Sequence, residues 1–162
     1  PILAGALALG AVGDYALSRP GERAFLAGMA AFALAHLAYV GLFVGAGASF
    51  TNLAVIPAIV LFLLGISTEF WLAPHTGALR WPVRGYVIII LAMGLAALAL
   101  PLGMGLVMVG AGLFLVSDLI LSLETFRLSP EHPLRGPLTK VVWVTYIGAQ
   151  AALALGLGFA GA

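Results

Sequence analysis

Six strongly apolar segments run through this chain, and its seven Lys and Arg residues occupy only alternate gaps between them. Arg19 and Arg23 lie in the first gap, Arg80 and Arg84 in the third, and Arg127, Arg135 and Lys140 in the fifth. The second and fourth gaps, residues 45–52 and 101–103, hold no basic side chain. Six successive crossings of a bilayer would bring every cationic connection to one side, where the positive-inside rule places the cytoplasm. The pattern predicts an all-α, polytopic transmembrane helix bundle, a single integral-membrane domain over residues 1–162. Loops 18–23, 72–84 and 127–140 are expected to be cytoplasmic. Arg exceeds Lys six to one and Ala and Gly are plentiful, which points to a bacterial inner membrane.

Composition narrows the function classes. Charged residues make up 8% of the chain, against roughly a quarter in soluble domains. A net charge of +1 gives no electrostatic reason to expect a nucleic-acid partner. The absence of cysteine removes disulfides, thiol catalysis and cysteine metal sites. Helices are expected at 2–17, 24–44, 53–70, 84–100, 102–126 and 138–160. A span needs roughly 20 apolar residues, so the first is short. It also begins on Pro1 rather than Met, and the expectation is a chain lacking an N-terminal part. Pro20 should end the first helix, Trp81-Pro82 should fall in the third connection, and Pro101 should mark the fourth turn. Gly5, Gly10, Gly13, Gly103, Gly105, Gly110 and Gly112 are expected to let helices approach closely in lipid.

Against this background the polar residues inside the apolar segments stand out. At 1.5 Å per residue, Asp118 lies roughly 12 Å from the cytoplasmic end of its helix and Asp14 about 5 Å from the end of its own. An acid at the bilayer centre costs a few kcal/mol on insertion scales, so such groups face a bundle interior or a wet cavity. Asp118 fits a functional role best. Asp14, nearer water, has the alternative of pairing with Arg19 or Arg23. Glu69 and Glu124 lie at the interface and are expected to be solvated or paired with arginine. Phe25, Gly28, Phe32, His36 and Tyr39 are spaced three and four apart, which sets them on one helical stripe. Tyr146 and Gln150 share a face, as do Gly110, Phe114, Ser117 and Asp118. Three such stripes suggest a common internal cavity. A metal site is disfavoured: no helix carries a paired ligand motif, and His75 and His132 lie in loops.

The ordered set of motifs resembles the YhhN-like lysoplasmalogenase family of polytopic membrane hydrolases. The matching pieces are Gly13-Asp14, then Phe25-x2-Gly28-x3-Phe32-x3-His36-x2-Tyr39, then Pro82-Val83-x2-Tyr86 with Met93. Gly110-x3-Phe114-x2-Ser117-Asp118 and Tyr146-x3-Gln150 follow in the same order. Members of that family usually have about eight helices, so the resemblance implies a chain without the first two. It also implies hydrolysis of the vinyl-ether bond of lysoplasmalogens, releasing a fatty aldehyde and a glycerophospho-base, with no cofactor.

Vinyl-ether hydrolysis begins with protonation of the β-carbon and passes through an oxocarbenium ion that water captures. It therefore asks for one carboxylic acid and one carboxylate, as glycosidases do for a similar ion. Asp118 is the expected acid and Asp14 the expected carboxylate, with His36, Tyr39, Tyr86, Ser117, Tyr146 and Gln150 orienting water or substrate. Both aspartates are expected to converge on one hollow open to the cytosol. The implied partners are a lysophospholipid substrate and membrane lipids, with no protein partner. The substrate tail would run between helices and its phosphate would lie near Arg80, Arg84, Arg127 or Lys140. The rival reading is a small transporter or lipid-binding membrane protein using the same acids as a proton relay or solute site.

Overall fold

The structure, a computed structural model, describes residues 1–160. It comprises six helices: α1 (Ile2–Leu17), α2 (Glu22–Gly45), α3 (Val55–Trp71), α4 (Arg80–Leu98), α5 (Gly105–Phe126) and α6 (Arg135–Ala160), with no strand among the described residues. Five regions are long and apolar enough to cross a membrane, namely α2 and α6, and α3, α4 and α5 with their adjoining 3-10 turns. The chain is an integral membrane protein. The 16-residue α1 is apolar but shorter.

The starts of α4 and α6 differ from expectation for a common reason. Pro57, Pro82 and Pro137 each occupy the third position of a helix. A proline there removes a donor that would have had no acceptor within the helix, so the first turn tolerates it. Trp81-Pro82 thus belongs to α4, not to the connection before it, and α6 begins three residues earlier than expected. The turn after α1 is made by Gly21, whose φ of 103° suits glycine. The turn after α2 uses Gly47 at φ 94° in the same way.

Neighbouring helices alternate in direction, which gathers the basic connections at one end. There Phe25 at the start of α2 meets Phe126 at the end of α5, ring centroids 5.9 Å apart and nearly perpendicular. Arg84 of α4 grips Glu69 of α3, Arg127 meets His75, and Arg135 of α6 bonds the Glu124 carbonyl of α5 at 3.1 Å. At the opposite end Ser49 N–H donates to the Ala99 carbonyl at 2.9 Å and Ala54 N–H to Leu98 at 3.0 Å.

The tightest pairings are α1 with α2 and α5 with α6, joined through α2 and α4. Glycine makes some of this possible. A Cβ on Gly13 would lie 2.7 Å from the Phe32 ring, and one on Gly110 would lie 3.1 Å from the Ala149 carbonyl. The packing role expected of Gly5, Gly103, Gly105 and Gly112 is not met, since an added Cβ at each would touch nothing within 4 Å. The core centres on Tyr39, Phe43, Met93, Val107, Phe114 and Leu153. By contrast α3 packs chiefly on α4, and much of its surface stays exposed, Ile56 and Val60 included.

Candidate active site

Two polar clusters lie inside the bundle, each built around one aspartate and one phenol. In the first, Tyr86 of α4 donates to Asp118 Oδ2 of α5 at 2.5 Å. His36 of α2 is fully buried, and its Nε2 lies 3.7 Å from the same oxygen. That separation is too long for a direct hydrogen bond, and Nε2 has no partner. The other ring nitrogen, Nδ1, lies 2.6 Å from the Phe32 carbonyl. A carbonyl only accepts, so Nδ1 carries a proton and donates it there, which leaves Nε2 as the ring nitrogen facing the acid.

In the second cluster Tyr146 of α6 donates to Asp14 Oδ2 of α1 at 2.8 Å. Gln150 Nε2 donates to the Tyr146 hydroxyl at 3.1 Å, and Tyr39 donates to Gln150 Oε1 at 2.6 Å. The result is a relay through three helices, α2 to α6 to α1. Pairing of Asp14 with Arg19 does not occur, because that guanidinium turns to Tyr15, donating to its hydroxyl at 2.8 Å. Gly10 makes room for the relay: a Cβ there would stand 2.5 Å from Gln150 Nε2 and 2.8 Å from the Tyr146 hydroxyl.

Aromatic rings join the clusters. Phe114 lies 4.6 Å from His36 and 5.5 Å from Tyr146, centroid to centroid and edge-on to both. Phe32 packs edge-on to Phe114 and Tyr146 while its ring rests on Gly13. Ser117, expected to orient substrate or water, is buried and donates instead to the Val142 carbonyl of α6 at 3.2 Å.

An apolar cavity of about 170 Å³ opens beside the first cluster. Asp118 and Tyr86 form part of its wall, with α3 contributing Leu61, Gly65 and Thr68. Phe32 lines it too, but Asp14 does not. The expected convergence of both acids on one hollow is therefore not what this cavity shows: Phe32 stands between it and the Asp14 side. The wall from α3 was missed in the sequence, where the stretch from Val55 to Ile66 that carries Leu61 and Gly65 shows no residue with a chemical signature. Glu69 and Glu124 both meet arginine: Arg84 Nη2 reaches Glu69 at 2.5 Å, and Arg135 Nε lies 3.7 Å from Glu124, which also accepts from Thr139 at 2.7 Å. Among the described residues, no three His, Asp or Glu side chains gather in a way that would hold a metal ion.

A helical membrane protein with carboxyls held by phenols inside the bundle, one beside an apolar cavity, is the class these features define. Residues 1–157 match the YhhN family, and the chain belongs to that family. It is similar to a Mycobacterium bovis (strain ATCC BAA-935 / AF2122/97) protein named lysoplasmalogenase, with 32% identity over 161 residues covering 95% of this chain and 59% of that protein. It is also similar to the human protein named lysoplasmalogenase TMEM86B, with 35% identity over 157 residues covering 95% of this chain and 62% of that one. The chain thus spans about three fifths of the length of these curated relatives. No solved structure matches it.

Proposed function

We propose that this protein is a membrane hydrolase that cleaves the vinyl-ether bond of lysoplasmalogens. The names of its relatives supply the substrate class. The observation that carries the chemistry is the Asp118 carboxyl in the wall of an apolar cavity, flanked by the Tyr86 phenol and the unpartnered Nε2 of His36.

In this reading Asp118 begins as the carboxylic acid and passes its proton to the β-carbon of the vinyl ether. The neighbouring carbon, bonded to oxygen, becomes an oxocarbenium centre. Water adds there and its surplus proton goes to His36 Nε2. The hemiacetal then breaks its bond to the glycerol oxygen, which leaves with the proton from His36. The hemiacetal hydroxyl returns its own proton to Asp118, and the fatty aldehyde departs. One water is consumed and both side chains are restored. General acid and base groups in such positions commonly contribute about 10²–10⁴-fold each.

Asp14 is the second acid of the proposal and works through Tyr146. By fixing that phenol it holds the edge-on packing of Tyr146 against Phe114 and Phe32, and the Phe114 ring backs His36. The basic end of the bundle faces the cytoplasm of a bacterial cell and receives the phosphate, while the hydrocarbon lies in the apolar interior.

The test is aldehyde release by purified protein from a 1-alkenyl lysophosphoethanolamine, with the acyl-ester lysolipid as control. Release confined to the vinyl ether, and lost in a folded Asp118→Asn variant, is the expected result. Equal turnover by that variant would remove Asp118 from the chemistry.

A further inference from the structure

The turns at the end of the bundle away from the arginines carry no charged side chain. Residues 24–68 and 85–117 hold no Asp, Glu, Lys or Arg, and two connections at that end fall within them. One joins α2 to α3 and includes the 3-10 turn Phe50–Asn52; the other joins α4 to α5 and includes Leu102–Met104. They lie side by side. Ser49 and Ala54 of the first donate to the Ala99 and Leu98 carbonyls beside the second, and a Cβ on Gly47 would stand 3.5 Å from Pro101. Phe50 is 93% exposed and Leu102 100%, the most of any large apolar side chain among the described residues.

Two properties separate these turns from loops built to stand in water. The first is that most polar groups of the longer turn are satisfied within the protein. The N–H groups of Gly47, Ala48, Ser49, Asn52, Leu53 and Ala54 all reach carbonyl acceptors, and the Ser49 and Thr51 hydroxyls meet at 2.8 Å. Backbone that enters lipid has to be satisfied in this way, because hydrocarbon offers no partner. The second is reach. Arg84 and Glu69, the ion pair joining α4 to α3, are partly exposed and mark the hydrocarbon boundary at the basic end, where charge can meet water. From Arg84 to Leu98 along α4, and from Glu69 back to Val55 along α3, the rise is about 21 Å. A hydrocarbon core is ~30 Å thick, so the far ends of α3 and α4 stop several ångströms short of the opposite boundary.

We propose that this uncharged end is a lipid-binding surface, with Phe50 and Leu102 standing among the acyl chains of the leaflet away from the basic end. Phospholipid is favoured over protein as the occupant. A second copy in the same bilayer would pack against the flanks of the helices and leave the tips of the turns uncovered. Water is disfavoured by the short reach of α3 and α4 and by two large apolar side chains presented where a soluble loop would carry charge. Nothing in the assignment depends on the chemistry at Asp118.

The chain has no cysteine, so Phe50→Cys, Leu102→Cys and, in the exposed loop at the basic end, Ser129→Cys each accept one thiol-reactive bimane. All three positions are exposed, and replacing them costs no packing in the bundle. Phosphatidylcholine nanodiscs leave both faces of the bilayer open to the buffer. Iodide in that buffer is expected to quench the probe at position 129 severalfold more than at 50 or 102, and lipids brominated on the acyl chain are expected to do the reverse. Exchange into a thinner dilauroyl bilayer should raise iodide quenching at 50 and 102 and leave 129 unchanged. Equal iodide quenching at all three positions would overturn the proposal by setting the turns in water. Protection from both quenchers, or protection that ignores bilayer thickness, would also overturn it, by revealing a protein cover.

Discussion

Asp118 and Asp14 are each held by a tyrosine hydroxyl, yet Asp118 lines the apolar cavity and Asp14 does not. Asp118 has a short polar neighbourhood: one phenol, and a histidine nitrogen that no protein group satisfies. Asp14 ends a relay in which the phenol and amide already have partners. The difference is one of unfinished against finished hydrogen bonding. A buried polar atom without a partner is costly, and retaining one beside an acid is reasonable where a substrate or water supplies the missing bond. A completed network gives rigidity instead. Reacting groups should therefore lie on the Asp118 side and the scaffolding that fixes them on the Asp14 side.

The largest effect that could break this contrast comes from Asp118→Asn, expected to lower kcat/KM for the vinyl ether by about 10³-fold. His36→Gln should follow, by about 10²-fold, with the fold retained by circular dichroism. On the other side, Asp14→Asn and Tyr146→Phe are each expected to cost about tenfold. Because both act on one link, their combination should cost little more than either alone, the signature of coupled residues in a double-mutant cycle. Additive losses would mean that Asp14 reaches the substrate by a route independent of Tyr146, and the contrast between the two acids would dissolve.

Much of the fold was legible because apolar runs and proline positions directly record how a chain meets lipid. All six helices lie where the hydropathy places them, and the starts of α4 and α6 were misplaced only because Pro82 and Pro137 read as breakers rather than first-turn residues. The stripe on α2 was equally legible: Gly28, Phe32, His36 and Tyr39 are all buried. What spacing along one helix cannot say is which neighbour that face will meet. Phe32 touches α1 at Gly13 and also lines the cavity, so it separates the acids instead of joining them. Nor could α3 announce its part. Leu61 is buried in the cavity wall while Val60, beside it in sequence, is exposed, and in a membrane segment both positions are aliphatic.

The glycines sharpen the comparison at a smaller scale. Gly5 and Gly10 lie on the same short helix, but only Gly10 sits under the relay. An alanine at Gly10 forces Gln150 or Tyr146 to move, an overpacking expected to cost about 1–3 kcal/mol and to reduce activity much as Asp14→Asn does. An alanine at Gly5 meets open space and should be neutral or stabilising by about 0.5–1 kcal/mol through helix propensity. Thermal unfolding in one detergent compares the two. Equal losses would show that α1 tolerates no side chain anywhere and that the relay has no special claim on Gly10.

The smallest effect is expected at the rim. Arg84 and Glu69 make several short contacts, but both side chains are partly exposed, at 24% and 41%. Partly exposed ion pairs contribute little, because water solvates the separated charges nearly as well. Glu69→Gln should therefore leave unfolding unchanged within error, and likewise the activity on a short-chain substrate. Yet the pair ties the end of α3 to α4, and α3 has few other attachments. Should Glu69→Gln selectively weaken long-chain substrates, the rim contact would be setting the width of the cavity beside Asp118, and the division between a working Asp118 side and a supporting Asp14 side would have to include α3.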